Sequence, residues 1–237
     1  QVLANSSFSL ASTAMDFSKN WVAGSSSPEI IFAYVNNSRA SSPLNFTLYV
    51  NDTDGSWNYA PSDWCYSSLF ADDNTLSRKG DVRSKATFTS QDANRVIKYP
   101  NGTYQLAETS DYTCTPVVIS RISEMYLIKA EALGKTNGAA ALVEYMKKRY
   151  TTAPSEAAIK ALSDKEYQTL ILDERRREFY AEGMRWQDIK RTNRLELLET
   201  LDGRTYLMYY PIPQDEIDMA GTAAYPQNPG YAGYTGN

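Results

Sequence analysis

From about residue 117 to 200 the apolar residues fall on a helical period, and this change of pattern constrains the fold more than any other feature of the chain. Ile122, Met125, Tyr126, Lys129 and Leu133 recur at steps of three and four near one stripe. They predict a helix over 118–133, which Gly134 ends because glycine enters the left-handed region without a Cβ clash. Leu142, Val143, Met146 and Tyr150 predict a second helix over 138–150. Two antiparallel helices joined by so short a turn make a hairpin of tetratricopeptide-like size, and one hairpin must stack on neighbours to bury its face. Ser163-Asp164-Lys165-Glu166 has capping-box spacing and opens a helix that runs to about Glu182, which Gly183 ends or kinks. A further helix holds Arg185, Trp186, Asp188 and Ile189.

Residues 1–116 read differently. Ser, Thr, Asn, Asp and Gly dominate, and turn signals recur at Asn51-Asp52-Thr53-Asp54-Gly55, Lys79-Gly80-Asp81 and Pro100-Asn101-Gly102. Long ordered loops, one or two short helices and short strands are expected there, with Glu29-Ile30-Ile31-Phe32-Ala33-Tyr34 the best strand candidate. Residues 201–237 read as irregular, with Tyr209-Tyr210-Pro211-Ile212-Pro213 held extended by its prolines. The fold class is therefore mainly α: helical hairpins with long loops and a few short strands, all in one domain over 1–237.

Composition removes several functions. The chain has no histidine, which excludes Ser-His-Asp and Cys-His catalysis and imidazole metal sites. A net charge of −4 argues against nucleic acid as a partner. Cys65 and Cys114 can pair in an oxidising compartment or remain two buried thiols, and both readings stay open. Asp52 and Asp54 are followed directly by Gly55 with no glutamate nearby, which does not match a calcium loop, and no metal or other cofactor is expected. No signal peptide opens the chain, and Gln1-Val2-Leu3 reads as the interior of a protein.

Glu174-Arg175-Arg176-Arg177-Glu178 admits three readings. Arginines on nucleic-acid phosphates are opposed by the interleaved Asp173, Glu174, Glu178 and Glu182. A glycosidase dyad needs one carboxyl group that holds its proton, and Glu174 and Glu178, one turn apart among guanidinium groups, should both be ionised. The third reading fits best: carboxylates and arginines at three- and four-residue spacing satisfy one another where helices pack, extended by Glu182 with Arg185 and Asp188 with Arg191.

The same stretch carries a resemblance. Glu174-Arg175-Arg176-Arg177-Glu178-Phe179-Tyr180-Ala181-Glu182-Gly183-Met184-Arg185-Trp186-Gln187-Asp188-Ile189-Lys190-Arg191 resembles the SusD/RagB signature ERRxELxxEGxRWxDLxR. Arg121-Ile122-Ser123-Glu124-Met125-Tyr126-Leu127-Ile128-Lys129-Ala130-Glu131-Ala132 is similar to the family's RLAEVYLIRAEA helix. Tyr210-Pro211-Ile212-Pro213-Gln214-Asp215-Glu216-Ile217 is similar to its PIPxxEI turn, Gln227-Asn228-Pro229-Gly230-Tyr231 to its closing QNPGY, and Pro28-Glu29-Ile30-Ile31-Phe32 to its NxEIIF segment. The five segments occur in the family's order. The resemblance implies the C-terminal part of a SusD-like, tetratricopeptide-like protein with a loop-rich ligand face. It implies an oligosaccharide or other nutrient as ligand, a TonB-dependent, SusC-like transporter as partner, and the outer face of a Bacteroidetes outer membrane as location. The lipid anchor it implies belongs to an N-terminal region this chain does not contain. The family has no shared catalytic motif, so an enzyme is not expected. A protein–protein adaptor built on helical repeats is the alternative, and a glycoside hydrolase the third.

Ligand-binding residues are sought where aromatic rings sit among amides and carboxylates, because rigid rings stack on sugar C–H faces at small entropic cost. Residues 51–70, read as a loop, place Trp57, Tyr59, Trp64 and Tyr66 among Asp52, Asp54, Asn58 and Asp63. The competing reading is that Trp57 and Trp64 pack the loop onto the helices.

Overall fold

The structure, a computed structural model, describes residues 1–22, 27–35, 61–88, 96, 98, 116–198, 201–221 and 226–232. The chain divides into two compact units, Gln1–Glu182 and Gly183–Asn237.

In the first unit, helix α1 (Ala14–Ser18) starts on Thr13, whose hydroxyl accepts the Asp16 N–H at 3.1 Å. The expected strand is present as β1 (Ile30–Tyr34). Its antiparallel partner is β3 (Val117–Arg121), with Ile30 opposite Arg121 and Tyr34 opposite Val117. This corrects the helix start expected at residue 118. Val117-Val118-Ile119 is β-branched, and pairing with β1 satisfies its backbone before the helical stripe begins. The helix starts at Ile122, whose N–H donates to the Glu29 carbonyl at 2.8 Å.

Helix α3 (Ile122–Arg149) is broken at Gly134, where φ 66 and ψ 176 leave the helical region. Its two arms run antiparallel, because the Tyr126 hydroxyl donates to Glu144 at 2.9 Å across them. The hairpin is thus present, with the break at the expected glycine. Tyr150 leaves the helix and opens β4 (Tyr150–Thr152), which pairs with β2 (Lys79–Asp81). Helix α2 (Val82–Thr87) follows β2 directly, capped by Asp81.

The hairpin packs on α4 (Glu156–Ala161) and α5 (Asp164–Glu178). The capping box forms: the Ser163 hydroxyl accepts the Glu166 N–H at 3.2 Å, and the Glu166 carboxylate accepts the Ser163 N–H at 2.7 Å. Tyr167, Leu170, Ile171 and Leu172 are buried, and the Tyr167 hydroxyl donates to the Ala130 carbonyl at 2.8 Å. Helix α5 stops at Glu178, four residues before the predicted end. Lys98 and Arg121 donate to the Glu178 carbonyl at 2.9 and 3.1 Å, taking the acceptor that another helical turn would use.

In the second unit, α6 (Met184–Thr192) starts from left-handed Gly183 and ends on left-handed Asn193. The described residues from 201 onward are more regular than the sequence suggests. Pro213 leads into a further helix, α7 (Gln214–Ala220), whose first turn carries Asp215 and Glu216 at its positive end. The QNPGY segment braces the extended strip before it. Gln227 bonds both the N–H and the carbonyl of Ile212, at 2.8 and 2.9 Å, and the Tyr231 hydroxyl donates to the Tyr209 carbonyl at 2.6 Å.

Candidate functional site

The carboxylates Glu174 and Glu178 of α5 point inward. Glu174, Glu178 and Glu29 are fully buried, and so are Arg83, Arg121 and Arg149. Glu178 accepts from Arg121 at 2.6 Å, Tyr145 at 2.7 Å and both Arg149 Nε and Nη2 at 2.9 Å. Glu174 accepts from the Tyr150 hydroxyl at 2.6 Å, Arg83 at 2.9 Å and Arg177 at 3.0 Å. Arg83 also donates to the Tyr150 hydroxyl. Glu29 holds Arg149 at 2.7 Å and Arg121 at 3.3 Å.

The structural reading of the charged stretch is therefore right, but most partners are not those that helical spacing suggests. Arg177–Glu174 and, in the second unit, Asp188–Arg191 at 2.9 Å do follow it. The other cations come from α2, β3 and α3, and Glu182 is held by Lys98 at 2.8 Å and Arg121 at 2.9 Å. Burial pushes the Glu174 carboxyl up, yet the charges of Arg83, Arg177 and Arg78 outweigh it and hold the group below its usual range. The same opposition, with Arg149, Arg121 and Arg83, holds Glu178 well below its usual range. A carboxylate so held neither lends a proton nor meets a substrate, so this pair is not a glycosidase dyad.

The surface above α5 is different. Residues 63–70, expected as loop, form a helical turn that widens into a π-turn over Cys65–Leu69. The sequence there lacks Pro and Gly, so nothing forbids a turn. Cys65, Leu69 and Phe70 bury one side of it with Phe88 and Val96. The Tyr180 ring stands edge-on to Phe88 at 5.2 Å, and its hydroxyl lies 3.2 Å from the Cys65 sulfur. Arg177 Nε donates to the Leu69 carbonyl at 2.5 Å. Cys65 is a free, buried thiol.

Trp64 lies just before the anchored residues and remains 46% exposed. The Arg176 guanidinium sits 4.4 Å from the centre of its ring. Tyr66 lies on the same turn, and its side chain is outside the described atoms. Trp57 and Tyr59 lie outside the described residues. Trp21 is fully buried against Phe17.

Sequence reasoning missed Arg176 as a surface partner of Trp64, since no local pattern links positions so far apart. It also missed an exposed pair on β1, Phe32 and Tyr34, whose rings meet edge-on at 5.2 Å. A cleft of about 610 Å³ runs between the 73–78 turn and the outer face of α5. Leu76, Leu162 and Leu170 line it with Asp73, Thr169 and Asp173, and its lining includes no aromatic ring. Among the described residues no cluster of acidic or sulfur ligands fits a metal ion.

The model of the SusD family matches residues 46–205, well over half of the chain. The chain belongs to the SusD family. A SusD-like protein of Formosa agariphila is 34% identical over 100 residues, covering 38% of this chain and 20% of the relative. A SusD superfamily protein from Bacteroides fragilis superposes with a TM-score of 0.63 at 21% identity, over 97% of this chain and 57% of its own. Surface glycan-binding protein A from Bacteroides thetaiotaomicron gives 0.63 at 21%, over 96% and 57%. A laminarin-binding SusD-like protein gives 0.55 at 18%, over 95% and 54%. The fold of this SusD-family chain is thus shared along nearly all of its length, and the chain spans little more than half of these solved relatives.

Proposed function

We propose that this SusD-family protein is a non-catalytic binder that captures an oligosaccharide at the outer face of the outer membrane and passes it to a SusC-like, TonB-dependent transporter. The observation that carries the reading is Trp64: a large ring left half-exposed on a turn whose other side is locked into the core. Burying that ring would be favourable, so its exposure on an anchored turn suits a preorganised stacking surface. Trp57, Tyr59 and Tyr66 are assigned to the same surface on sequence grounds. Family membership supports the reading, as do relatives described as a surface glycan-binding protein and a laminarin-binding SusD-like protein. Attachment is assigned to a lipid anchor; among the described residues no helix is long and apolar enough to cross a membrane.

The test is calorimetry against the oligosaccharide that binds best on a glycan array. Trp64→Ala is expected to weaken binding by about 2 kcal/mol, roughly thirtyfold in Kd, with the melting temperature unchanged. Normal affinity in that variant sinks the site assignment, and failure of the protein to bind any glycan sinks the function.

A further inference from the structure

We infer that the Trp64–Arg176 pair recognises an acidic sugar, one bearing a carboxylate or a sulfate ester, with the ring against the sugar face and the guanidinium on the anionic group. The inference rests on the glycan-binding reading above and narrows its ligand class.

Three consecutive arginines occupy the end of α5, and their fates differ. Arg175 lies 3.5 Å from Glu124 and 5.1 Å from the Phe179 ring. Arg177 is buried on Glu174 and the Leu69 carbonyl, at 3.0 and 2.5 Å. Arg176 is half-buried and lies against the exposed Trp64 ring. Among the described residues no carboxylate pairs with it and no carbonyl accepts from it. Asp63 precedes Trp64 in the chain and Asp173 lies three residues before Arg176. An arginine held over an aromatic face presents its π surface to the ring and keeps its N–H edge for in-plane partners. That edge is a two-pronged donor matched to a carboxylate or sulfate.

The rest of the chain argues for one discrete anionic contact. Net charge is −4, so a polyanion gains nothing from the overall field. The 4.4 Å contact also places the cation over one face of the ring. A sugar would take the opposite face of Trp64, with its anionic substituent reaching round the ring edge to Arg176, whereas a neutral sugar would leave a partly desolvated charge without a partner.

An array of neutral, uronic-acid and sulfated oligosaccharides, followed by calorimetry on the best ligand of each class, tests this on the full chain. An acidic class is expected to bind at least about tenfold tighter than the neutral class, the scale of one charge-assisted hydrogen-bonded pair. Which acidic class does so separates carboxylate from sulfate. Arg176→Gln should collapse the acidic-to-neutral ratio towards one, and Arg176→Lys should recover only part of it because the fork is lost. An unchanged melting temperature in both variants shows that the fold is intact. If neutral sugars bind as tightly as acidic ones, or Arg176→Gln keeps the ratio, the acidic-ligand inference falls while glycan binding stands. If no class binds, both fall.

Discussion

Glu178 shows how much depends on single side chains. Arg121, Arg149, Tyr145 and Arg83 all donate to one carboxylate that water does not reach. Glu178→Gln removes the charge and leaves three arginines short of it in a dry interior. The expected loss is about 3–5 kcal/mol in urea unfolding, the scale for breaking a buried ion pair from one side. Arg176→Gln, two positions away, should shift the same midpoint hardly at all. The sequence makes the role of these charges legible, since carboxylates interleaved with arginines are rarely an active site. It leaves the partners illegible, because Arg83, Arg121 and Arg149 reach α5 from other elements. Trp64 is a similar case: its ring chemistry can be read directly, but its exposure depends on what Cys65, Leu69 and Phe70 bury against.

Among elements, the helical hairpin is the most readable, because its break needs a residue that tolerates φ 66 with ψ 176, and Gly134 supplies it. Gly138 matters for another reason. A Cβ there would collide with the Ala130 carbonyl oxygen and lie 2.8 Å from the Tyr167 hydroxyl, where the arms of α3 and α5 converge. Gly138→Ala should destabilise the protein by about 1–3 kcal/mol through overpacking, measured by chemical denaturation, although alanine is the better helix former. Ser163→Ala should cost about 1 kcal/mol by removing the capping hydroxyl. Element boundaries are where sequence reasoning fell short. A strand replaces the expected start of α3, since β1 was available to pair with it. Lys98 and Arg121 end α5 early. The prolines before residue 214 mark a helix start as well as an extended strip.

At the scale of the whole molecule, Lys98 couples the core to pH. Burial pushes its ammonium down from 10.5 to about 8, with Arg121 adding to the drop and Glu182 opposing it. Between those values the unfolded chain binds more protons, so stability rises with pH. The contribution is complete above the unfolded value and is lost as pH falls through about 8. Tyr145 and Tyr150 run the other way: burial raises both, so their contribution disappears above about pH 10. Wild type should therefore gain about 2–3 kcal/mol relative to Lys98→Met between about pH 8 and 10. Parallel urea midpoints for the two proteins across that window would sink this account.

The sequence by itself determined the helical class, the hairpin and its break, the capping box, β1 and the family signature. Each rests on neighbours within a few residues, where periodicity, glycine and capping chemistry act. Only the tertiary structure decided that the charged helix turns Glu174 and Glu178 inward, that Lys98 and Arg121 end it, and that Trp64 remains outside beside Arg176. These depend on side chains from distant segments meeting in one place, and their energies come from burial and opposed charge, which no local window contains.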